Sequence, residues 1–179
     1  MPPPSADASA EDSRTVAAAQ QGDRAAFGQL YARYGRMVHG ILLARVPRAD
    51  VADLVQDVFV RAMERLASLR EPAAFGGWLA AIARHAATDH TRRDRPTAPL
   101  PDQVAAPPVA DRLEALAILD IVRTLPEAYR ETLVLRFVEG LTGPEIAAST
   151  GLTEGSVRVN LHRGMKLLRE RLERKGPRE

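Results

Sequence analysis

The sequence predicts an all-α protein made of two small helical domains that are joined by a Pro-rich flexible linker. Apolar residues recur with the 3.6-residue period of amphipathic helices, alternating strand patterns are absent, and glycine or proline marks the ends of the periodic segments. Residues 95–110 hold five prolines, which remove backbone donors and disfavour helix in the residues before them. We therefore expect a disordered tail at 1–10, domains at 11–95 and 111–175, and a linker at 96–110.

Composition excludes several classes of protein. The 179 residues include no cysteine, which excludes disulfides and thiolate metal sites within this sequence. No stretch approaches the ~20 apolar residues of a membrane span, and the N-terminus lacks a secretory signal, so we expect no membrane insertion and a cytoplasmic location. The four histidines lack metal-binding spacing, and no glycine-rich phosphate loop is present. We therefore expect no catalytic residue, metal, cofactor or enzymatic activity.

Four helices are expected in the first domain, at about 11–21, 24–45, 51–67 and 74–93. Asp50 is the candidate cap of the third helix. The inward stripe of that helix comprises Leu54, Val55, Val58, Phe59, Ala62, Met63 and Leu66. Its outward face comprises Gln56, Asp57, Val60, Arg61 and Glu64. Taken alone, such a face is most simply a solvated surface.

The fourth helix has an apolar side and a basic end. Its apolar side carries Phe75, Trp78, Leu79, Ile82 and Ala86, and its C-terminal half carries Arg84, His85, Asp89, His90, Arg92 and Arg93. Cations at that end complement the helix dipole, and they also supply a basic surface for a nucleic-acid backbone. The single tryptophan falls in the apolar register, so we expect it in the hydrophobic core rather than stacked on a base.

Four helices are also expected in the second domain, at about 111–123, 126–139, 143–149 and 154–175, and the last two form a helix-turn-helix. Thr142 and Glu145 form a predicted capping box at the start of the first of these two helices. Gly151 stands where a tight turn requires positive φ. Leu152 then fills the angle between the two helices, and Thr153 starts the second one.

The last helix combines a buried stripe with a basic outer face. The stripe is Val157, Leu161, Gly164, Leu168 and Leu172, and the outer face carries Ser156, Arg158, Val159, Asn160, His162, Arg163 and Lys166. From 158 to 179 there are eight basic and three acidic residues, a net charge of +5. This combination favours DNA recognition over a purely structural helical hairpin. Asn160 suits adenine and Arg163 guanine, whereas Arg158 and Lys166 suit phosphates.

Several segments, in order, resemble bacterial extracytoplasmic-function (ECF) sigma factors. Residues 26–34 (AFGQLYARY), 52–63 (ADLVQDVFVRAM), 77–89 (GWLAAIARHAATD) and 91–95 (TRRDR) are similar to the first conserved domain of that family, sigma region 2. Residues 125–137 (LPEAYRETLVLRF) and the helix-turn-helix are similar to sigma region 4. The resemblance covers most of the sequence between the tails, apart from the linker.

The resemblance implies a subunit that binds core RNA polymerase, brings it to a promoter and helps to melt the DNA. By this analogy the polymerase is bound by Asp53, Gln56, Asp57 and Arg61, which replaces the solvated-face interpretation. The fourth helix captures an unstacked base of the minus-ten element, with Arg84, His85, Asp89, Arg92 and Arg93 as the DNA-binding residues. The last helix recognises the minus-thirty-five element as duplex. The resemblance also leaves room for an anti-sigma factor as a further partner.

The sequence departs from the family at His85, where relatives often carry asparagine. Because an imidazole offers a different hydrogen-bonding pattern from a carboxamide, the departure concerns either the preferred base or its mode of capture. The alternative function is an autonomous helix-turn-helix repressor or activator whose N-terminal half binds a ligand or dimerises.

Overall fold

The structure, a computed structural model, describes residues 6–93 and 109–175, and within these ranges all regular structure is helical. The first unit contains α1 (Ala6–Gln20), α2 (Arg24–Leu43), α3 (Arg48–Arg65) and α4 (Phe75–Arg93), with short 3-10 turns at Leu66–Ser68 and Pro72–Ala74. The second unit contains α5 (Val109–Arg123), α6 (Glu127–Phe137), α7 (Gly143–Thr150) and α8 (Glu154–Lys175). The all-α prediction is confirmed for the described residues. Most of the predicted linker lies outside them.

Two helices begin three or more residues before the predicted position. α1 begins at Ala6, so half of the segment expected as a tail is helical. Asp50 does not cap α3, because Pro47 occupies the capping position with an extended backbone and the helix begins at Arg48. Asp50 instead lies in the first turn of α3, where its Oδ2 is 3.0 Å from Nε2 of His90 on α4. That contact ties α3 to the basic end of α4.

The first unit is built around α2, which packs on α1, α3 and α4. Its buried residues include Leu30, Val38 and Ile41. The predicted stripe of α3 is buried except for Met63, which is 55% exposed. At about 100° per residue, Met63 lies between buried Phe59 and exposed Val60 around the helix, at the edge of the stripe. The prediction that Met63 faces inward is therefore wrong.

The second unit holds the helix-turn-helix in the predicted local geometry. The Thr142 hydroxyl accepts from the amide of Glu145, whose carboxylate accepts from the amide of Thr142, so the capping box is confirmed. Gly151 has φ +75° and ends α7. Val157 and Leu168 of α8 are buried, but Leu172 is 39% exposed. The prediction for Leu172 is wrong because α8 has 22 residues and extends past the 11-residue α6 on which it packs.

The two units pack directly against each other, α2 on α6 and α4 on α7. Two glycines allow this close approach. A β-carbon at Gly40 would lie 2.7 Å from Cδ2 of Leu135 and 2.8 Å from Cγ of Glu139. A β-carbon at Gly76 would lie 2.8 Å from the carbonyl oxygen of Ser149. A larger residue at Gly76 would clash with the backbone of α7 and push the helices apart, whereas a larger residue at Gly40 would force the side chains of Leu135 and Glu139 to shift.

Candidate nucleic-acid interface

The outer face of α8 is open to solvent. The exposed side chains on it are Ser156, Arg158, Val159, His162, Arg163 and Lys166. Burial of Val157 beneath α7 fixes which face points outward, because a helix that buries one stripe must present the opposite one. Thr153 precedes α8 and its hydroxyl accepts from the amide of Ser156 at 3.1 Å, which caps the helix. The outer face of α8 thus exposes three cationic side chains and the apolar side chain of Val159 on one capped helix.

Asn160 differs from the other predicted recognition residues. It is half-buried, and its amide nitrogen lies 3.5 Å from the hydroxyl of Thr132 on α6. It also lines a cleft between the units together with Arg45 and Arg84 of the first unit. The carboxamide is therefore turned toward the contact between the units rather than fully outward.

The basic end of α4 holds the residues predicted for the minus-ten element. His85, Arg92 and Arg93 are exposed at its outer surface. Asp89 is half-buried, and its Oδ2 lies 3.8 Å from Nη1 of Arg61 on α3. The structure therefore brings together one residue predicted to bind DNA and one predicted to bind polymerase. At this distance and exposure the pair is a weak surface ion pair.

Arg84 lies apart from these exposed residues. Its guanidinium binds Glu131 of α6 through two nitrogens, with Nη2 2.7 Å from Oε1 and Nε 3.2 Å from Oε2. Burial disfavours the charge of Arg84, but the hydrogen bond and the negative charge of Glu131 outweigh it and raise its pKa. In this conformation both of these nitrogens are engaged by the carboxylate.

Arg45 of the first unit completes an ionic cluster around Glu131. Arg45 Nη1 lies 2.6 Å from Glu131 Oε2, and the two side chains are only 7% and 6% exposed. A second nitrogen of Arg45 donates to Glu127, and this contact lowers the pKa of that carboxyl. The Glu131 carboxylate on α6 is therefore held by two arginines, Arg84 of α4 and Arg45 of the turn that follows α2.

Two further contacts join the units around this cluster. Nδ1 of His39 lies 2.6 Å from Oε1 of Glu139, and Nη2 of Arg123 donates to the carbonyl of Val46 at 3.0 Å. Glu139 is a buried residue, so its carboxylate depends on such partners. Together with the ionic cluster, these contacts give the two units several polar contacts with each other.

The outward face of α3 remains open. Asp53, Gln56 and Asp57 are exposed, and Val60 and Met63 add apolar surface beside them. Arg61 is half-buried, and its Nη1 lies 3.8 Å from Oδ2 of Asp89. The face therefore combines acidic, amide and apolar groups, a composition suited to a protein partner rather than to DNA.

The contact residues Gly40, Arg45, Glu131 and Glu139 were missed by the sequence analysis. Two local signals indicate two of them in retrospect. Gly40 of α2 and Ala44, the C-cap of that helix, are small residues four apart, a spacing that lets a second helix approach closely. Glu131 falls four residues before Leu135, on a buried face of α6, where a charge requires a partner. The identity of that partner is not contained in either pattern.

Comparisons with known proteins cover both units. A family model described as sigma-70 region 2 matches residues 30–97, and one described as sigma-70, region 4 matches residues 115–168. The chain is 34% identical to the ECF RNA polymerase sigma factor BldN of Streptomyces coelicolor, over 92% of this chain and 67% of BldN. It is 34% identical to the RNA polymerase sigma factor CarQ of Myxococcus xanthus, over 86% of this chain and 92% of CarQ.

A solved structure is similar over most of the fold. The structure of CnrH in complex with the cytosolic domain of CnrY matches with a TM-score of 0.64 and 31% identity, covering 90% of this chain and 97% of that one. None of the helices in 6–93 or 109–175 has the length and apolar character needed to cross a bilayer.

The matches to both regions, in sequence order, do not favour the autonomous helix-turn-helix regulator. The chain belongs to the ECF sigma factors, which bind core RNA polymerase and promoter DNA and direct transcription initiation.

Proposed function

We propose that this sigma factor uses three surfaces on three helices: α8 binds the minus-thirty-five element, the end of α4 binds the minus-ten element, and α3 binds core RNA polymerase. The observation that carries the proposal is the exposure of the outer face of α8 in a capped helix-turn-helix whose inner face is buried. α8 has 22 residues, a length of about 33 Å at 1.5 Å per residue, enough to lie in a major groove. Its N-terminal half contacts the bases of the minus-thirty-five element through Asn160 and Arg163. Arg158 and Lys166 contact phosphates, and Ser156, Val159 and His162 complete the contact surface.

The basic end of α4 serves the minus-ten element. A base can be recognised by its edges only after it leaves the stack, so this region acts on melted DNA. His85, exposed on the outer surface of α4, is the group that contacts the captured base. Arg92 and Arg93 hold the neighbouring phosphates, and Arg84 joins them once it is released from Glu131. Asp89, which forms a weak ion pair with Arg61, completes the proposed minus-ten surface at its rim.

The outward face of α3 docks on core polymerase. Asp53, Gln56 and Asp57 are exposed there, and the apolar side chains of Val60 and Met63 give the contact a dry centre. Arg61 supplies a cation at the edge. Because phosphodiester synthesis belongs to the polymerase, the protein has no catalytic activity of its own and acts in the cytoplasm. Region 2 corresponds to 11–95 and region 4 to 111–175, with 96–110 as a linker, and the segment 1–10 that was predicted as a tail contributes its second half to α1.

An anti-sigma factor is a further partner under this proposal. The similar chain CnrH is described in complex with the cytosolic domain of CnrY. This chain is similar in fold to CnrH over 90% of its length, and a protein partner that binds it and holds it inactive is proposed here by that similarity.

The proposal is tested by variants that separate the surfaces. Asp57→Arg should weaken binding to fluorescently labelled core polymerase. The matched charge reversal Glu71→Arg, which is exposed in the loop before α4, should not. Arg163→Ala should leave core binding unchanged but reduce promoter binding by the assembled holoenzyme. Equal losses of core binding for Asp57→Arg and Glu71→Arg would reject the docking face, and loss of core binding by Arg163→Ala would reject the division of tasks.

A further inference from the structure

A buried threonine on α6 contacts one of the residues proposed to recognise bases. Thr132 is only 1% exposed, and its hydroxyl oxygen lies 3.5 Å from the amide nitrogen of Asn160 on α8. Both residues belong to the second unit, in which α6 and α8 pack on each other. The contact between them therefore does not depend on how the two units are arranged.

Gly164 allows α8 to lie close to α6 at this point. One turn after Asn160, a β-carbon at Gly164 would lie 3.1 Å from Cδ1 of Leu133 and 3.2 Å from Cβ of Tyr129. Such distances are tighter than most side-chain contacts, so a larger residue would force the neighbouring side chains to shift. Leu133 is adjacent to Thr132, and the same close approach brings Asn160 within hydrogen-bonding distance of the hydroxyl.

The hydroxyl of Thr132 can only accept a hydrogen bond from Asn160. Its single proton is donated to the carbonyl oxygen of Ala128 at 2.6 Å. A carboxamide has an acceptor oxygen and an NH2 group, and only the NH2 group can donate to this hydroxyl oxygen. If the carboxamide were flipped, two oxygens without a proton between them would face each other. Thr132 therefore selects one of the two orientations of the Asn160 carboxamide.

We propose that Thr132 is a positioning residue that sets the base specificity of Asn160. This inference rests on the proposed contact of Asn160 with the minus-thirty-five element. Adenine presents an acceptor and a donor side by side in the major groove, and asparagine binds both through its oxygen and one N–H. The second N–H is left for Thr132. The hydroxyl thus fixes the donor and acceptor ends of the carboxamide without competing with the base.

The size of the effect depends on how many orientations the side chain of Asn160 adopts without this contact. When the hydroxyl is removed, the two carboxamide orientations become similar in energy, and about half of the molecules are competent to bind adenine. When the three χ1 rotamers are released as well, about one molecule in six is competent. The preference for adenine should therefore fall by about two- to sixfold, less than the loss expected for removal of Asn160 itself.

The test is binding of the assembled holoenzyme to a library of upstream-element variants. Thr132→Val keeps the shape of the side chain but removes the hydroxyl, and Thr132→Ser keeps the hydroxyl. The matched control is Thr150→Val on α7, because Thr150 is also buried and its hydroxyl also donates to the carbonyl four residues earlier, that of Ile146. Thermal unfolding verifies the fold of each variant, and Thr132→Ala decides the outcome if Thr132→Val does not fold.

Thr132→Val should lower the preference for adenine at one position by about two- to sixfold and leave the other positions unchanged. Thr132→Ser and Thr150→Val should keep the wild-type profile. In an Asn160→Ala background, Thr132→Val should have no further effect on the profile. In NMR spectra of the free protein, the side-chain amide protons of Asn160 should exchange with water faster in Thr132→Val than in the wild type or Thr132→Ser. Their signals are assigned by their absence in Asn160→Ala.

Three results would overturn the inference. An unchanged profile and unchanged amide exchange in folded Thr132→Val, while Asn160→Ala loses its preferred base, would show that Asn160 recognises DNA without help from Thr132. A uniform loss across all sequences, or the same loss in the Asn160→Ala background, would show that Thr132 acts only through the fold. A wild-type profile in Asn160→Ala would reject the proposed contact of Asn160 with DNA, and the inference with it.

Discussion

The outer face of α8 allows two kinds of DNA contact to be separated by single substitutions. Arg163 and Lys166 are both exposed and three residues apart, about 4.5 Å along the helix axis. Replacing either with alanine should change the free energy of unfolding by no more than about 0.5 kcal/mol, because neither side chain is buried. Any larger effect on promoter binding therefore comes from lost contacts with DNA.

The expected losses differ in kind. Arg163→Ala removes a two-nitrogen contact with guanine, which should weaken binding to the preferred minus-thirty-five sequence by about 1 to 3 kcal/mol, or roughly 5- to 150-fold. Discrimination at one or two positions should flatten. Asn160→Ala should act similarly at an adenine. Lys166→Ala should weaken all sequences alike and lower the dependence of log affinity on log salt by about one unit.

The assay is binding of the assembled holoenzyme to a library of upstream-element variants, followed by fluorescence anisotropy at several salt concentrations. Thermal unfolding of each variant is the control for the fold. If Asn160→Ala, Arg163→Ala and Lys166→Ala all give the same uniform loss, α8 contacts only phosphates, and the argument from side-chain type and position is refuted.

Three further results are expected. His85→Asn should shift the preferred base at one melted position of the minus-ten element and leave the upstream element unaffected, and an unchanged preference across a promoter library would remove His85 from the base pocket. Arg61→Glu should weaken core binding but leave the melting temperature nearly unchanged, because the contact of Arg61 with Asp89 is 3.8 Å long and therefore weak. A large drop in melting temperature would instead place Arg61 in the packed interior. Hydrogen bonds from Thr142 lower the pKa of Glu145 in the folded protein. The ionised cap therefore stabilises the fold fully at pH values above the ordinary glutamate pKa of about 4.3. This contribution is lost as the pH falls through the lower pKa of the folded state. The melting temperature of Glu145→Gln should therefore approach that of the wild type in acid, and a constant difference at all pH values would contradict the assignment.

The helix caps, turns and limits of the helix-turn-helix could be predicted from the sequence, because interactions between residues close in the chain determine them. The capping box of Thr142 and Glu145, the positive φ of Gly151 and the limits of α8 all agree with prediction. Each depends on residues within a few positions of one another, where hydrogen bonds and steric limits on the backbone act. The errors at Met63 and Leu172 occur at the edge or end of a stripe, where the neighbouring helix decides exposure.

The arrangement of the units could not be predicted in the same way. The contact between Gly40 and Leu135 joins residues almost a hundred positions apart, and the ion pair of Arg84 with Glu131 joins residues 47 apart. Helical periodicity assigns a face to each residue but does not pair one face with another. The resemblance to ECF sigma factors implied DNA binding by Arg84, whereas in the structure Arg84 binds the carboxylate of Glu131.

Run-off transcription tests the central claim most directly. Purified core polymerase, a linear promoter template and nucleotides are combined with and without this protein, and the protein alone is tested for binding to the same duplex. A promoter-specific transcript should appear only when core polymerase and the protein are both present, and the protein alone should bind the duplex weakly. Absence of a specific transcript from every promoter tested, together with nanomolar sequence-specific binding by the protein alone at physiological salt, would contradict the account and indicate an autonomous regulator.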